Sequence, residues 1–171
     1  MQLCGDAGVL TREHLSPKMC ALDSLTGCRC ESSDPVAKGG QLVTQILTAE
    51  DFVVGIFAIL ALRDRKNFTF GETELDARFE EAFEDLVANE AGLNVRPNFT
   101  FYVDAMHGDS ESVRETVLAA RDQGVVALHN PAFNRVTILL DEKRANRYLA
   151  KNPMKRGFLE KLVDRHFDGF G

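Results

Sequence analysis

Tryptophan is absent from this 171-residue chain, tyrosine occurs twice, and no cysteine follows residue 30. With Cys4, Cys20, Cys28 and Cys30 all near one end, no disulfide framework ties down the body of the chain. Free thiols of this kind point to a reducing cytoplasm. Long hydrophobic runs are also missing. The longest, Phe52 to Leu62, holds ten apolar residues and Gly55, whereas a membrane-spanning helix takes about 20. No membrane association is expected, and the run reads instead as the most deeply buried element of a water-exposed domain. No opening segment combines a basic start, an apolar stretch and a cleavage site, so secretion is not expected. The two N-x-T matches at Asn67 and Asn98 are discounted accordingly.

The motifs of several enzyme classes are lacking as well. There is no glycine-rich phosphate loop, no G-x-S-x-G and no H-E-x-x-H. His14, His107, His129 and His166 are scattered. Imidazole suits general-base chemistry near neutral pH, but a catalytic histidine needs a nucleophile or an orienting partner, and no spacing supplies one. Asp104, His107 and Asp109 lie close enough together for a metal, yet two carboxylates and a histidine around a turn are a common accident of composition. The expectation is a non-enzymatic protein with no cofactor and no metal site.

Net charge is -6, from 20 basic and 26 acidic residues. That balance disfavours non-specific nucleic-acid binding but leaves room for a local basic surface. The charges are segregated along the chain. Gly71 to Ala91 carries eight acidic residues and one basic, while Arg135 to His166 carries nine basic and four acidic. A strongly acidic helix face and a basic C-terminal part follow.

Residues 1–40 differ from the rest. They contain none of the 12 phenylalanines and neither tyrosine, and Gly, Ser, Pro and Asp cluster towards their end. Without large side chains to bury, they do not offset an ordering entropy of roughly 1–2 kcal/mol per residue. A flexible cysteine-containing tail is expected, with at most a short helix near Cys20 to Leu25. Cys28-Arg29-Cys30 is one residue short of the usual zinc knuckle spacing.

Residues 41–171 read as one mainly α domain with a small antiparallel β element. A lead-in turn or short helix covers Gln41 to Leu47. Thr48 to Asp51 resembles a capping box ahead of the apolar helix 52–65. A short strand at 68–70 follows, then an amphipathic helix over 75–90 stopped by Gly92. Phe99 to Val103 alternate as a strand. Asp109 or Ser110 caps a helix over 111–123 that ends at Gly124. Two β-rich runs, 125–129 and 135–140, enclose a hairpin loop in which Phe133 is either exposed or folded back. Asp141 caps a helix to Ala150, Asn152-Pro153 interrupts it, and a last helix runs from Met154 to Phe167.

Helix, short strand, helix, helix and hairpin are the elements of a winged-helix domain. In that arrangement 111–123 is the groove-reading helix, whose candidate DNA contacts are Ser112, Arg114, Arg121 and Gln123. Asn134 and Arg135 on the hairpin, with Lys143, Arg144 and Arg147 beyond it, extend the candidate surface. One expectation is therefore a regulator binding double-stranded DNA. The rival is a protein-interaction or antitoxin-like adaptor that uses the acidic 71–91 face. The apolar stripe of the last helix, Phe158, Leu159, Leu162, Val163 and Phe167, packs internally or forms a homodimer.

Overall fold

A computed structural model describes residues 44–129 and 133–169. The expected N-terminal tail, its short helix and its cysteines lie outside the described residues, as does the hairpin tip at 130–132. The described elements, in order, are β1 (Gln45–Leu47), α1 (Ala49–Leu62), β2 (Asn67–Thr69), α2 (Glu74–Leu93) and β3 (Val95–Pro97). They continue with α3 (Glu111–Asp122), β4 (Val126–Leu128), β5 (Arg135–Ile138), α4 (Glu142–Lys151) and α5 (Arg156–His166). The chain is mainly helical with a small antiparallel sheet, in which β5 lies between β2 and β4.

Everything is arranged around α1. Each residue from Phe52 to Ala61 is buried, because a helix apolar on every side must be covered on every side. α3, α4 and α5 pack against it. Its start is set by Thr48, whose Oγ1 accepts from the Asp51 N–H at 3.1 Å and donates to the Asp51 carboxylate at 2.7 Å. The last turn of α1 carries no basic residue. Arg63 and Arg65 sit just beyond it and pair with Asp164 and Asp168, joining this end of α1 to the end of α5.

Four local expectations are corrected. Gln45–Leu47 is not helical but a strand parallel to Val95–Pro97. Leu47 and Val95, both buried, anchor that pair. Helix α2 passes through Gly92 and ends at Asn94, which takes the left-handed conformation (φ 56°) that asparagine tolerates. Phe99 to Val103 alternates as expected but pairs with no strand, and the pairing residues lie just upstream. Phe101 is buried and Phe99 packs partly into the core, both touching Phe52 and Phe83 at ring-centroid separations of 5.2–5.9 Å. Packing of aromatic rings, worth about 0.5–1.5 kcal/mol a pair, has replaced a backbone ladder here. Finally, Ser110 occupies the N-cap of α3 without a side-chain cap bond.

Gly55 shows how closely α1 is invested. A Cβ there would lie 2.7 Å from Asn152 Nδ2 and 3.2 Å from both Leu159 methyls. That amide is held in place, donating to the Asp51 carbonyl at 2.6 Å. Replacing a mid-helix glycine by alanine ordinarily gains about 1 kcal/mol. Gly55→Ala is expected instead to lose about 1–3 kcal/mol through overpacking. A lower urea midpoint at unchanged slope would show this, and a raised midpoint would show that the α1–α5 contact is loose.

Candidate functional site

The nine candidate DNA-contacting residues differ in exposure and in the partners they hold. Arg114 is engaged inside the fold. Its guanidinium contacts Asp76 at 3.3 Å and Asp109 at 2.8 Å, and lies 5.3 Å from the centre of the Phe133 ring. Asp76 is only 1% exposed, and its carboxylate also accepts the Ser110 N–H at 3.1 Å. Burial pushes the Asp76 carboxyl above the usual range, against the opposing pull of Arg114 and of the Ser110 N–H. Arg114 therefore ties α2, α3 and the hairpin together. Phe133, expected as exposed or folded back, is folded back against the core.

Elsewhere on α3, Arg121 is exposed and paired with its neighbour Asp122. Gln123 donates to Glu50 at 3.1 Å, and its carbonyl accepts from Arg144 at 3.4 Å. Ser112 is exposed, but Glu111, Glu115 and Asp122 are exposed on the same helix. The outward side of α3 is thus acidic where phosphates would have to approach. Asn134 is half-buried, and its carbonyl accepts from the Phe70 N–H at 2.8 Å. Arg135, Lys143 and Arg147 are exposed and form no ion pair among the described residues. Lys143 and Arg147 share one face of α4 with Lys151, at i, i+4 and i+8.

Much of the acidic face of α2 is met from within. Asp85 accepts from Arg165 at 2.6 Å and lies 2.7 Å from His166 Nε2, while Glu81 lies 3.4 Å from His166 Nδ1. The His166 hydrogen bond and the Arg165 charge hold the Asp85 carboxyl below the usual range. The apolar stripe of α5 is likewise occupied internally, with Leu159, Leu162, Val163 and Phe167 all buried. A homodimer has no bare apolar stripe there to use.

The loop between β3 and α3 carries a feature that sequence reasoning missed. It lies against the first turns of α2, where Glu80 accepts the Val103 N–H at 2.8 Å and Gly108 approaches Thr73. Asp104 organises its tip. One carboxylate oxygen accepts the N–H groups of Met106 and His107 at 2.7 and 3.0 Å, and the other accepts the Tyr102 hydroxyl at 3.2 Å. The Asp104 carbonyl accepts the Gly108 N–H, and its own N–H donates to the Asp109 carbonyl. Those backbone donors hold its carboxyl below the usual range. Asp104 and Asp109 thus have N–H, hydroxyl or guanidinium partners, and no metal-holding group of three occurs among the described residues. Out of this hydrogen-bonded tip stand Met106, 89% exposed, and Tyr102, 60% exposed. A turn around Asp104, His107 and Asp109 was legible, but the exposure of Tyr102 and Met106 was not.

No protein-family model, curated protein or solved structure matches this chain. No described helix is long and apolar enough to cross a membrane.

Two outcomes test this geometry. Because the Asp85 carboxyl is held below its unfolded value, its contribution is present above that value and is lost as pH falls through the folded one. Asp85→Asn should therefore lower the urea midpoint at neutral pH, with the two curves converging as pH falls below the ordinary carboxylate range. Asp104→Ala should speed amide hydrogen exchange at 105–108 by about tenfold or more while α1 amides stay protected.

Proposed function

We propose that this chain is a non-enzymatic, cytoplasmic protein-interaction module on a winged-helix-like scaffold. The order of α1, β2, α2, α3 and the β4–β5 hairpin supports that scaffold, as does a sheet in which the last strand is central. The observation that carries the function is the pre-ordered loop tip with two protruding side chains, Tyr102 and Met106. Exposed aromatic and methionine side chains on a rigid support are the usual anchors of protein interfaces, since little entropy remains to be lost on docking. Glu80, Asp104 and Asp109 frame them, and Glu84 is exposed one turn further along α2. The complementary partner is a protein surface with an apolar pocket and a basic rim. Cysteines confined to the first 30 residues suit a reducing compartment.

The second reading, a regulator bound to double-stranded DNA, is favoured by the exposed, unpaired Arg135, Lys143 and Arg147. It is weakened by the internal engagement of Arg114 and the acidic side of α3. Arg114 is also a poor probe of DNA binding, because its loss strands the buried Asp76 carboxylate and perturbs the fold. A homodimer would need a face other than the stripe of α5.

A photoreactive residue placed at 106 in cells should give one discrete protein adduct, and the same residue at Glu111 should not. In parallel, duplex DNA is titrated across a salt series with the native chain and with Lys143→Glu/Arg147→Glu. Micromolar binding with a steep salt slope, lost in the double variant, together with no adduct at 106, would replace the protein-interaction reading by the DNA reading.

A further inference from the structure

The three-stranded sheet has an outward face that the protein-interaction reading does not use and of which the DNA reading uses Arg135 alone. Antiparallel register sets it out in two rows. Phe68, Val136 and Ile138 point into the core, so Asn67, Thr69, Arg135 and Thr137 point outward. Asn67 is registered opposite Thr137, and Thr69 opposite Arg135. On the other side of β5, His129 donates its N–H to the Arg135 carbonyl at 3.2 Å, placing it across from Arg135. An exposed guanidinium therefore sits between a threonine and a histidine, with a second threonine and an asparagine in the next row. Directly opposed side chains in such a pair lie roughly 5 Å apart at Cβ.

These side chains line a shallow cleft of about 300 Å3, and no lining residue is acidic. In a chain with 26 carboxylate side chains and a net charge of -6, a donor-rich cleft without one is a selective surface. Its polar atoms are also ordered. The Thr137 hydroxyl donates to Asn67 Oδ1 at 2.9 Å and lies 2.8 Å from His129 Nε2. One hydroxyl proton serves one acceptor, so His129 donates from Nε2 to complete the chain. That arrangement aims the Asn67 amide N–H groups away from Thr137. Arg135 and Thr69 have no ion pair or side-chain hydrogen bond among the described residues.

We propose that this cleft is an oxyanion site for a phosphate group, held bidentately by Arg135 with Thr69 and Asn67 supplying further donors and His129 fixing the Thr137–Asn67 chain. A planar guanidinium fork matches a phosphate edge, and neutral hydroxyl and amide donors satisfy the remaining oxygens without competing charge. The chemistry is the same whether the phosphate belongs to a small phosphorylated molecule or to a nucleic-acid backbone. The site does not depend on the docking role of the loop at 102–108.

The experiment is a titration of inorganic phosphate into the full chain at constant ionic strength, followed by amide NMR. Signals of Thr69, His129, Arg135 and Thr137 should move together and saturate. Arg135→Gln should weaken the response about tenfold, and Thr69→Val, a substitution suited to a strand, several-fold. A short DNA duplex added to the same sample separates the sources. If it moves the same signals at lower concentration than phosphate, and Arg135→Gln abolishes this, the ligand is the backbone phosphodiester. If phosphate saturates the site and the duplex leaves it untouched, the ligand is a small phosphorylated molecule. Signals that stay fixed under phosphate, or that move equally in Arg135→Gln, overturn the site.

Discussion

Complete burial of one helix is the constraint on which this structure depends. α1 presents apolar side chains in every direction, so no single neighbour covers it, and α3, α4 and α5 are all needed. This explains features that look unrelated along the chain. The break at Asn152-Pro153 lets α5 turn back onto α1, and Asn152 itself bridges to the Asp51 carbonyl. Gly55 is small because Leu159 and Asn152 press on it. The ion pairs of Arg63 and Arg65 with Asp164 and Asp168 close the far end of the same contact. These exposed pairs contribute little each, about 0–1 kcal/mol. The fold rests on the apolar surface between them.

The charges divide into those that serve the fold and those left outward. Asp76, Arg114, Asp85, Arg165 and His166 join α2 to α3 and α5. Asp76 and Arg114 form the costlier set, since a buried carboxylate is tolerated only with its partner present. Outward-facing groups separate into regions of opposite character. The acidic loop tip with Tyr102 and Met106 suits a basic, partly apolar protein surface, and the sheet face around Arg135 suits an anion. A chain with charge of both signs thus offers two different chemistries on separate elements.

Much of the element order was legible from periodicity and punctuation. Thr48, Asp141 and Gly124 mark helix boundaries by local chemistry, a cap or a left-handed turn that depends on few neighbours. The failures share a cause. Gln45–Leu47 becomes a strand because Val95–Pro97, some 50 residues away, pairs with it. Gly92 fails to stop α2, and Asn94, the residue immediately before β3, ends it instead. The alternation at Phe99 to Val103 was real, but it marked an inward aromatic edge and not a ladder. In the candidate surface, a basic residue in the third helix could be counted from sequence, whereas its occupation by Asp76, 38 residues earlier, could not.

By itself the amino-acid sequence determined where the core helix lies, which segments are acidic or basic, and where most helices start. Those properties follow from side-chain chemistry acting over a turn or two of backbone. Only the tertiary structure decided which charges face solvent. Arg114 and Arg135 are the same residue type in the same chain, yet one is clamped between two carboxylates and a phenyl ring and the other stands free on a sheet face. The difference lies in pairings between distant elements, and through-space electrostatics and packing are set by those pairings, not by position along the chain.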